Sequence, residues 1–133
     1  MFGFKNKTKA NNAFLAVQTG EIVALSTLPD PVFAEKILGD GFAIDPTDEC
    51  VYSPVSGEVV DVQDTFHAYA IHTDDGLDVL VHIGINTVGL NGEGFTPKVK
   101  TGDRVKAGDL LCKVDLALIA QKGLPKFTVV LIT

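Results

Sequence analysis

Phe66-His67-Ala68-Tyr69-Ala70-Ile71-His72-Thr73-Asp74-Asp75-Gly76-Leu77-Asp78-Val79-Leu80-Val81-His82-Ile83 is the stretch from which the fold is read. Leu77, Val79, Val81 and Ile83 alternate with Asp78, Leu80 and His82, which fits the period of 2 of a strand better than the 3.6 of a helix. The upstream half, 66–73, has no Pro or Gly and reads as a second strand. Asp-Gly favours a two-residue type I′ turn, in which both central residues have φ > 0. With Asp75 and Gly76 in those places, Asp74 faces Leu77, His82 lies opposite Tyr69 and His67 opposite Gly84. His67 and His82 then share a face as diagonal neighbours, with Cβ atoms about 7–8 Å apart. His72 falls opposite Val79 on the other face and reads as structural. A loop one residue longer or shorter reverses this parity and recruits His72 in place of His67.

Outward from this hairpin, short apolar runs are punctuated by Gly, Pro, Asp and Asn. Further strands are expected at 21–25, 41–44, 50–53, 57–62, 110–114 and 127–132, and short helices after Asp30-Pro31 (stopping at Gly39) and after Asp115. Turn signals every eight to twelve residues predict an all-β chain, a compact antiparallel β-sandwich or flattened barrel with short helical turns. Gln18-Thr19-Gly20-Glu21-Ile22-Val23 echoes Val55-Ser56-Gly57-Glu58-Val59-Val60, as repeated hairpin corners would.

The chain has 133 residues, which suits one domain over 1–133, with 1–15 expected as a flexible tail. A hydrophobic share of 46% argues against disorder. A net charge of −6 argues against nucleic acid, whose phosphates call for clustered Lys and Arg. Cys50 and Cys112 are far apart and read as reduced thiols of a cytoplasmic protein. No apolar run has the ~18–20 residues of a membrane span. The basic start, Met1-Phe2-Gly3-Phe4-Lys5, allows at most a weak contact with an anionic membrane surface.

A neutral imidazole, with an ordinary pKa near ~6.5, is a nucleophile at pH 7. It attacks acyl or phosphoryl groups, or binds a metal. Two imidazoles on one face divide the labour, one carrying a group while the other donates hydrogen bonds to it. Thr65, two residues before His67, is placed to fix the His67 tautomer. Asp74 and Asp75 are explained by turn chemistry, and the H-E-x-x-H, G-x-S-x-G and phosphate-loop motifs are absent from the sequence.

Val32-Phe33-Ala34-Glu35-Lys36-Ile37-Leu38-Gly39-Asp40-Gly41, Ser53-Pro54-Val55-Ser56-Gly57, Leu80-Val81-His82-Ile83-Gly84-Ile85-Asn86-Thr87-Val88 and Gly92-Glu93-Gly94-Phe95 occur in that order. Together they resemble the glucose-family enzyme IIA of the bacterial phosphoenolpyruvate:sugar phosphotransferase system, over nearly the whole chain. The resemblance implies a histidine phosphocarrier of β-sandwich fold with no cofactor. It takes a phosphoryl group from the small carrier HPr and passes it to a cysteine of the IIB domain of a sugar permease. His82 matches the family's phosphoacceptor, His67 its supporting histidine and Thr65 the threonine that orients it. Phe33, Leu38, Leu80 and Val88 match an apolar docking rim, and Asp30 an acidic docking position that doubles as a helix N-cap. Asn86 stands where many members have Asp, removing a charge that would meet a basic carrier.

Three other classes compete. A lysostaphin-like zinc endopeptidase needs a third protein ligand and an H-x-H spacing, which the sequence lacks. A biotinyl or lipoyl carrier domain needs a lysine at a turn flanked by methionine, and Met1 is the sole methionine. A regulatory module that binds metabolic enzymes or permeases would use the same face as the phosphocarrier.

Overall fold

In the computed structural model, which describes residues 14–133, the elements are β1 (Gly20–Val23), α1 (Pro31–Ala34), β2 (Asp40–Pro46), β3 (Cys50–Tyr52), β4 (Gly57–Val62), β5 (Ala68–Thr73), β6 (Asp78–Ile83), β7 (Phe95–Pro97), β8 (Arg104–Val105), β9 (Leu110–Val114), α2 (Leu116–Gln121) and β10 (Thr128–Ile132). The larger sheet runs β1-β2-β10-β6-β5-β4-β8 and the smaller β3-β9-β7. All described pairings are antiparallel, and each sheet keeps two edges. The molecule is therefore an open sandwich rather than a closed barrel. The basic segment at the start, Met1-Phe2-Gly3-Phe4-Lys5, lies outside the described residues. By Phe14 and Leu15 the chain is already tied in, Phe14 packing on the main core and the Leu15 N–H donating to the Pro54 carbonyl.

Strand alternation gives the larger sheet two apolar faces. Val79, Val81 and Ile83 of β6 join Ile44, Val59, Ile71 and Val130 in the main core, closed from the smaller sheet by Val51, Leu111 and Val114. Ala43, Val129 and Leu131 face the other way and form a second cluster with Leu25, Leu28, Phe33 and Ile85, against which Leu80 packs. This second cluster holds α1 over the outer face of β2 and β10. Asp30 starts α1, its Oδ1 accepting from the Val32 N–H at 2.9 Å with Pro31 behind it. Lys36 enters the left-handed region at φ 59°, so the helix ends well before Gly39, the expected stop.

The central hairpin differs from its expected register by one residue. Ala68, not Tyr69, lies opposite His82, and His72 lies opposite Asp78, not Val79. Thr73 pairs with Leu77 instead of Asp74 doing so, because the Thr73 N–H donates to the Leu77 carbonyl and the Gly76 N–H to that of Thr73. Only Gly76 of the loop residues has positive φ, at 94°, so the connection is the three-residue loop with a single left-handed glycine rather than type I′. Thr73 stabilises it, its hydroxyl donating to Asp75 Oδ1 at 2.5 Å and accepting from the Leu77 N–H at 2.8 Å. Two short strands, β7 and β8, were not expected. With three and two residues they have no room for a period, and β7 contains Pro97.

Because the two cores share the larger sheet, its inward residues govern stability far more than its apolar edge residues. Ile71 is fully buried, while Ile22 on edge strand β1 is 65% exposed. Urea unfolding is expected to show Ile71→Ala losing about 2–5 kcal/mol and Ile22→Ala less than about 0.5 kcal/mol. Equal losses would contradict this assignment of faces.

Candidate functional site

His82 sits inside β6, on the face turned away from the main core. Its ring lies between two aromatic walls. The His67 ring is edge-on at 4.9 Å between centroids, and the Phe33 ring at 5.0 Å and 62°. Phe33 is itself buried in the second cluster, so the single turn of α1 has the role of pressing one ring against His82.

The histidine pair forms even though the register on which it was expected does not hold. By alternation the shifted register puts His72 on the His82 face. The strand, however, carries His72 four residues beyond Ala68, about 13 Å along the chain. There its Nδ1 bonds Asp78 Oδ1 at 2.8 Å on the open surface. His67 reaches the site because it lies outside β5. The Phe66 N–H closes a turn onto the Gln63 carbonyl, and Phe66 adopts φ 60°. That left-handed step ends the alternation and frees His67 from strand parity. The His67 carbonyl still accepts from the Ile83 N–H at 2.7 Å, which fixes its backbone beside β6.

The two rings are held by different partners. His82 Nδ1 lies 2.8 Å from the Gly84 carbonyl oxygen. A carbonyl only accepts, so Nδ1 carries the proton and the Nε2 lone pair is free. His67 Nδ1 lies 2.6 Å from Thr65 Oγ1, a hydroxyl able to donate or accept. Burial, then the neighbouring His67, pushes His82 down to about 4, against the Gly84 bond and the Asp30 charge, which pull it up. Burial also lowers His67. At neutral pH the site therefore holds two uncharged imidazoles, and on His82 the nitrogen left over is a bare lone pair.

Asp30 lies close enough to act on His82 electrostatically, and it lines a cleft of about 210 Å³ with Pro29, Pro31, Ile85, Asn86 and Pro125. Asn86 is exposed and left-handed at φ 63°, a conformation that Asn tolerates well. Of the four expected rim residues, Leu38 and Val88 are 47% and 55% exposed, Leu80 is half-buried, and Phe33 is a buried wall. Ile37, not singled out from sequence, is the most exposed apolar side chain following α1, at 65%. The Gly84 carbonyl was also missed. Its signal was a glycine two residues after the histidine, where φ 75° and a Cβ position 2.4 Å from Thr87 Cγ2 admit no side chain. Among the described residues no group of three or more His, Cys, Asp or Glu converges as a metal site.

Comparisons with known proteins give the chain a family. The family model described as phosphoenolpyruvate-dependent sugar phosphotransferase system, EIIA 1, matches residues 12–133. The chain is 45% identical, over 139 aligned positions, to the glucose-specific EIIA component of that system from Halalkalibacterium halodurans, covering 100% of this chain and 80% of that protein. It is 49% identical over 118 positions to the glucose-specific EIICBA component from Streptococcus pneumoniae, covering 89% of this chain but 16% of that longer protein. The solved structure of glucose permease IIA from Mycoplasma capricolum superposes with a TM-score of 0.86 at 41% identity, covering 90% of this chain and 78% of that one. With a family model matched from residue 12 to the last residue, the chain belongs to the EIIA 1 family of the phosphoenolpyruvate-dependent sugar phosphotransferase system.

Proposed function

We propose that this protein is the phosphocarrier of a cytoplasmic transfer chain, taking a phosphoryl group from phospho-HPr on His82 and giving it to a cysteine of a sugar-permease IIB domain. The observation that carries this reading is the Nδ1–H to Gly84 carbonyl bond beside a neutral His67. In the first step the His82 Nε2 lone pair attacks phosphorus. The bond from phosphorus to the donor imidazole breaks, and its electron pair returns to that ring. The Nδ1 proton stays on the Gly84 carbonyl bond throughout. In the second step a thiolate attacks phosphorus and the pair returns to His82 Nε2. Such transfers depend on in-line placement and on stabilising the equatorial oxygens. The ring nitrogen of His67 that is not bonded to Thr65 supplies a hydrogen bond to those oxygens when the Thr65 hydroxyl donates to Nδ1.

The apolar surface at Ile37, Leu38 and Val88 gives a partner a dry seal around the phosphoryl group, which water would otherwise take. Asp30 and the net charge of −6 favour a basic carrier face. The pneumococcal relative, whose name joins A to C and B components in one chain, supports a permease as the recipient. Relatives named glucose-specific make glucose the first sugar to test. The zinc endopeptidase reading lacks its third protein ligand among the described residues.

Incubation with phosphoenolpyruvate, enzyme I and HPr is expected to put an acid-labile phosphoryl group on the parent and none on His82→Ala. His67→Ala is expected to accept the group yet transfer it to IIB about 100-fold more slowly or worse. A parent that takes no label overturns the reading.

Replacing Asn86 by Asp restores a negative charge beside Asp30 in the cleft. Association with HPr is expected to quicken about threefold at low salt, with the gain vanishing at high salt. A rate unchanged at every ionic strength would remove Asn86 from the docking surface.

The depressed His82 also sets a pH dependence of stability. Between the folded value of about 4 and the unfolded value near ~6.5, the unfolded chain binds a proton that the folded chain does not. Stability therefore rises with pH across this window and is lost on acidification through it. Unfolding free energies from urea titrations between pH 7 and pH 4 are expected to fall more steeply for the parent than for His82→Ala, by about 1 kcal/mol per pH unit near pH 5. Parallel curves would show that His82 is not held neutral by the fold.

A further inference from the structure

Thr87 is fully buried, yet it carries a hydroxyl and sits outside the strands, at the start of the 3-10 turn Thr87–Leu90. Its Oγ1 donates to the Ile83 carbonyl at 2.6 Å. Ile83 is the residue whose N–H holds the His67 carbonyl, and it follows His82 directly. The methyl group of Thr87 fills the space where a Gly84 side chain would stand, with Cγ2 2.4 Å from that Cβ position. On its other side the Gly84 N–H donates to the Phe127 carbonyl at 2.8 Å. The Ile83–Gly84 peptide is thus held at both ends, its carbonyl by Thr87 and its N–H by Phe127, and the Gly84 carbonyl that follows it is the acceptor of the His82 Nδ1 proton.

We infer that Thr87 is a positioning residue for His82: its hydroxyl ties the turn to the end of β6, and the Gly84 carbonyl thereby keeps the proton on Nδ1 and Nε2 free. Thr87 acts on His82 through the backbone of Ile83 and Gly84. The reactivity part rests on the phosphocarrier reading, whereas the tautomer part does not. Loss of the hydroxyl leaves the Ile83 carbonyl without this buried donor and lets the turn relax away from β6. The Gly84 carbonyl then moves off the ring, and the imidazole samples both tautomers.

The test uses ¹⁵N-histidine-labelled full-length protein at pH 7, reading the His82 ring shifts for tautomer, with single-turnover phosphorylation by phospho-HPr alongside. The parent and Thr87→Ser, which keeps the hydroxyl, are expected to show the Nδ1–H tautomer alone and rates within about threefold of each other. Thr87→Val, close in shape but without the hydroxyl, is expected to show a tautomer mixture and acceptance slowed about tenfold or more. Thr87→Ala, which adds no atom to the buried site, serves as the second hydroxyl-free variant should Thr87→Val fail to fold. A parent in the Nε2–H form, or a folded hydroxyl-free variant with the parent's tautomer and rate, overturns the inference. A parent that shows the Nδ1–H tautomer but takes no phosphoryl group sinks the phosphocarrier reading and leaves the tautomer role of Thr87 standing.

Discussion

The hydrogen bond from His82 Nδ1 to the Gly84 carbonyl is the interaction around which the site is built. It requires the acceptor to lie two residues along the same chain, so the backbone must fold back as soon as β6 ends. Gly84 at φ 75° makes that bend, and a side chain there would collide with Thr87. Asn86 and Asn91, both left-handed, continue it around the 3-10 turn. The cost of this irregular loop is offset by its anchors, the Gly84 and Ile85 amides to the carbonyls of Phe127 and Pro125 just before β10. The outermost consequence is the order of the larger sheet. β10 must lie beside β6 to offer those carbonyls, and β2 beside β10 to carry the second apolar cluster beneath α1.

Period-2 alternation in 77–83 gives the direction of His82 without any knowledge of its neighbours, and that part of the sequence reading holds: Val79, Val81 and Ile83 are buried in the main core and His82 is turned away from it. The register was not legible to the same degree. Asp-Gly signals two hairpins of different length, and the choice fell to Thr73, whose hydroxyl and amide both bond within the loop. A residue outside the turn signal decided the turn. The expectation that such a slip would exchange His67 for His72 failed for a second local reason. Parity applies only within a ladder, and Phe66 had already left it. Bulky residues rarely adopt positive φ, so nothing in the composition of Thr65-Phe66-His67 announced the step.

The short elements show the same limit from another side. Asp30-Pro31 and Asp115 were readable as helix starts because capping is a chemical requirement of the first turn, and both side chains accept the expected amide bonds. Where a helix ends depends on packing. α1 stops after one turn, with Phe33 buried and Lys36 already left-handed, and the following Ile37 and Leu38 are left on the surface. β7 and β8 exist only because neighbours pair with them. Their own residues carry too little periodicity to be seen.

The two imidazoles lie face to edge at 4.9 Å, but their supports differ in kind, and the difference matters more than the likeness. A carbonyl accepts in every state of the ring, so the Gly84 bond holds His82 in one tautomer whether or not Nε2 carries a group. A hydroxyl turns over freely, so Thr65 can serve His67 as donor in one state and as acceptor in another. On the phosphocarrier reading this is a division between a nitrogen that must stay the same nucleophile and a nitrogen that must adapt. The charge on the phosphoryl oxygens raises the proton affinity of a ring beside it, and burial lowers it in the unloaded state. His67 is therefore neutral before transfer and better able to share a proton with the oxygens once the group has arrived. Exchange of Thr65 from donor to acceptor lets both ring nitrogens of His67 become donors without moving the ring. An amide side chain in place of Thr65 would have to rotate to make the same change, and a carboxylate would hold the ring charged from the start. A small hydroxyl at this position is thus what a reversible carrier requires, since neither the loaded nor the empty state is held at the expense of the other.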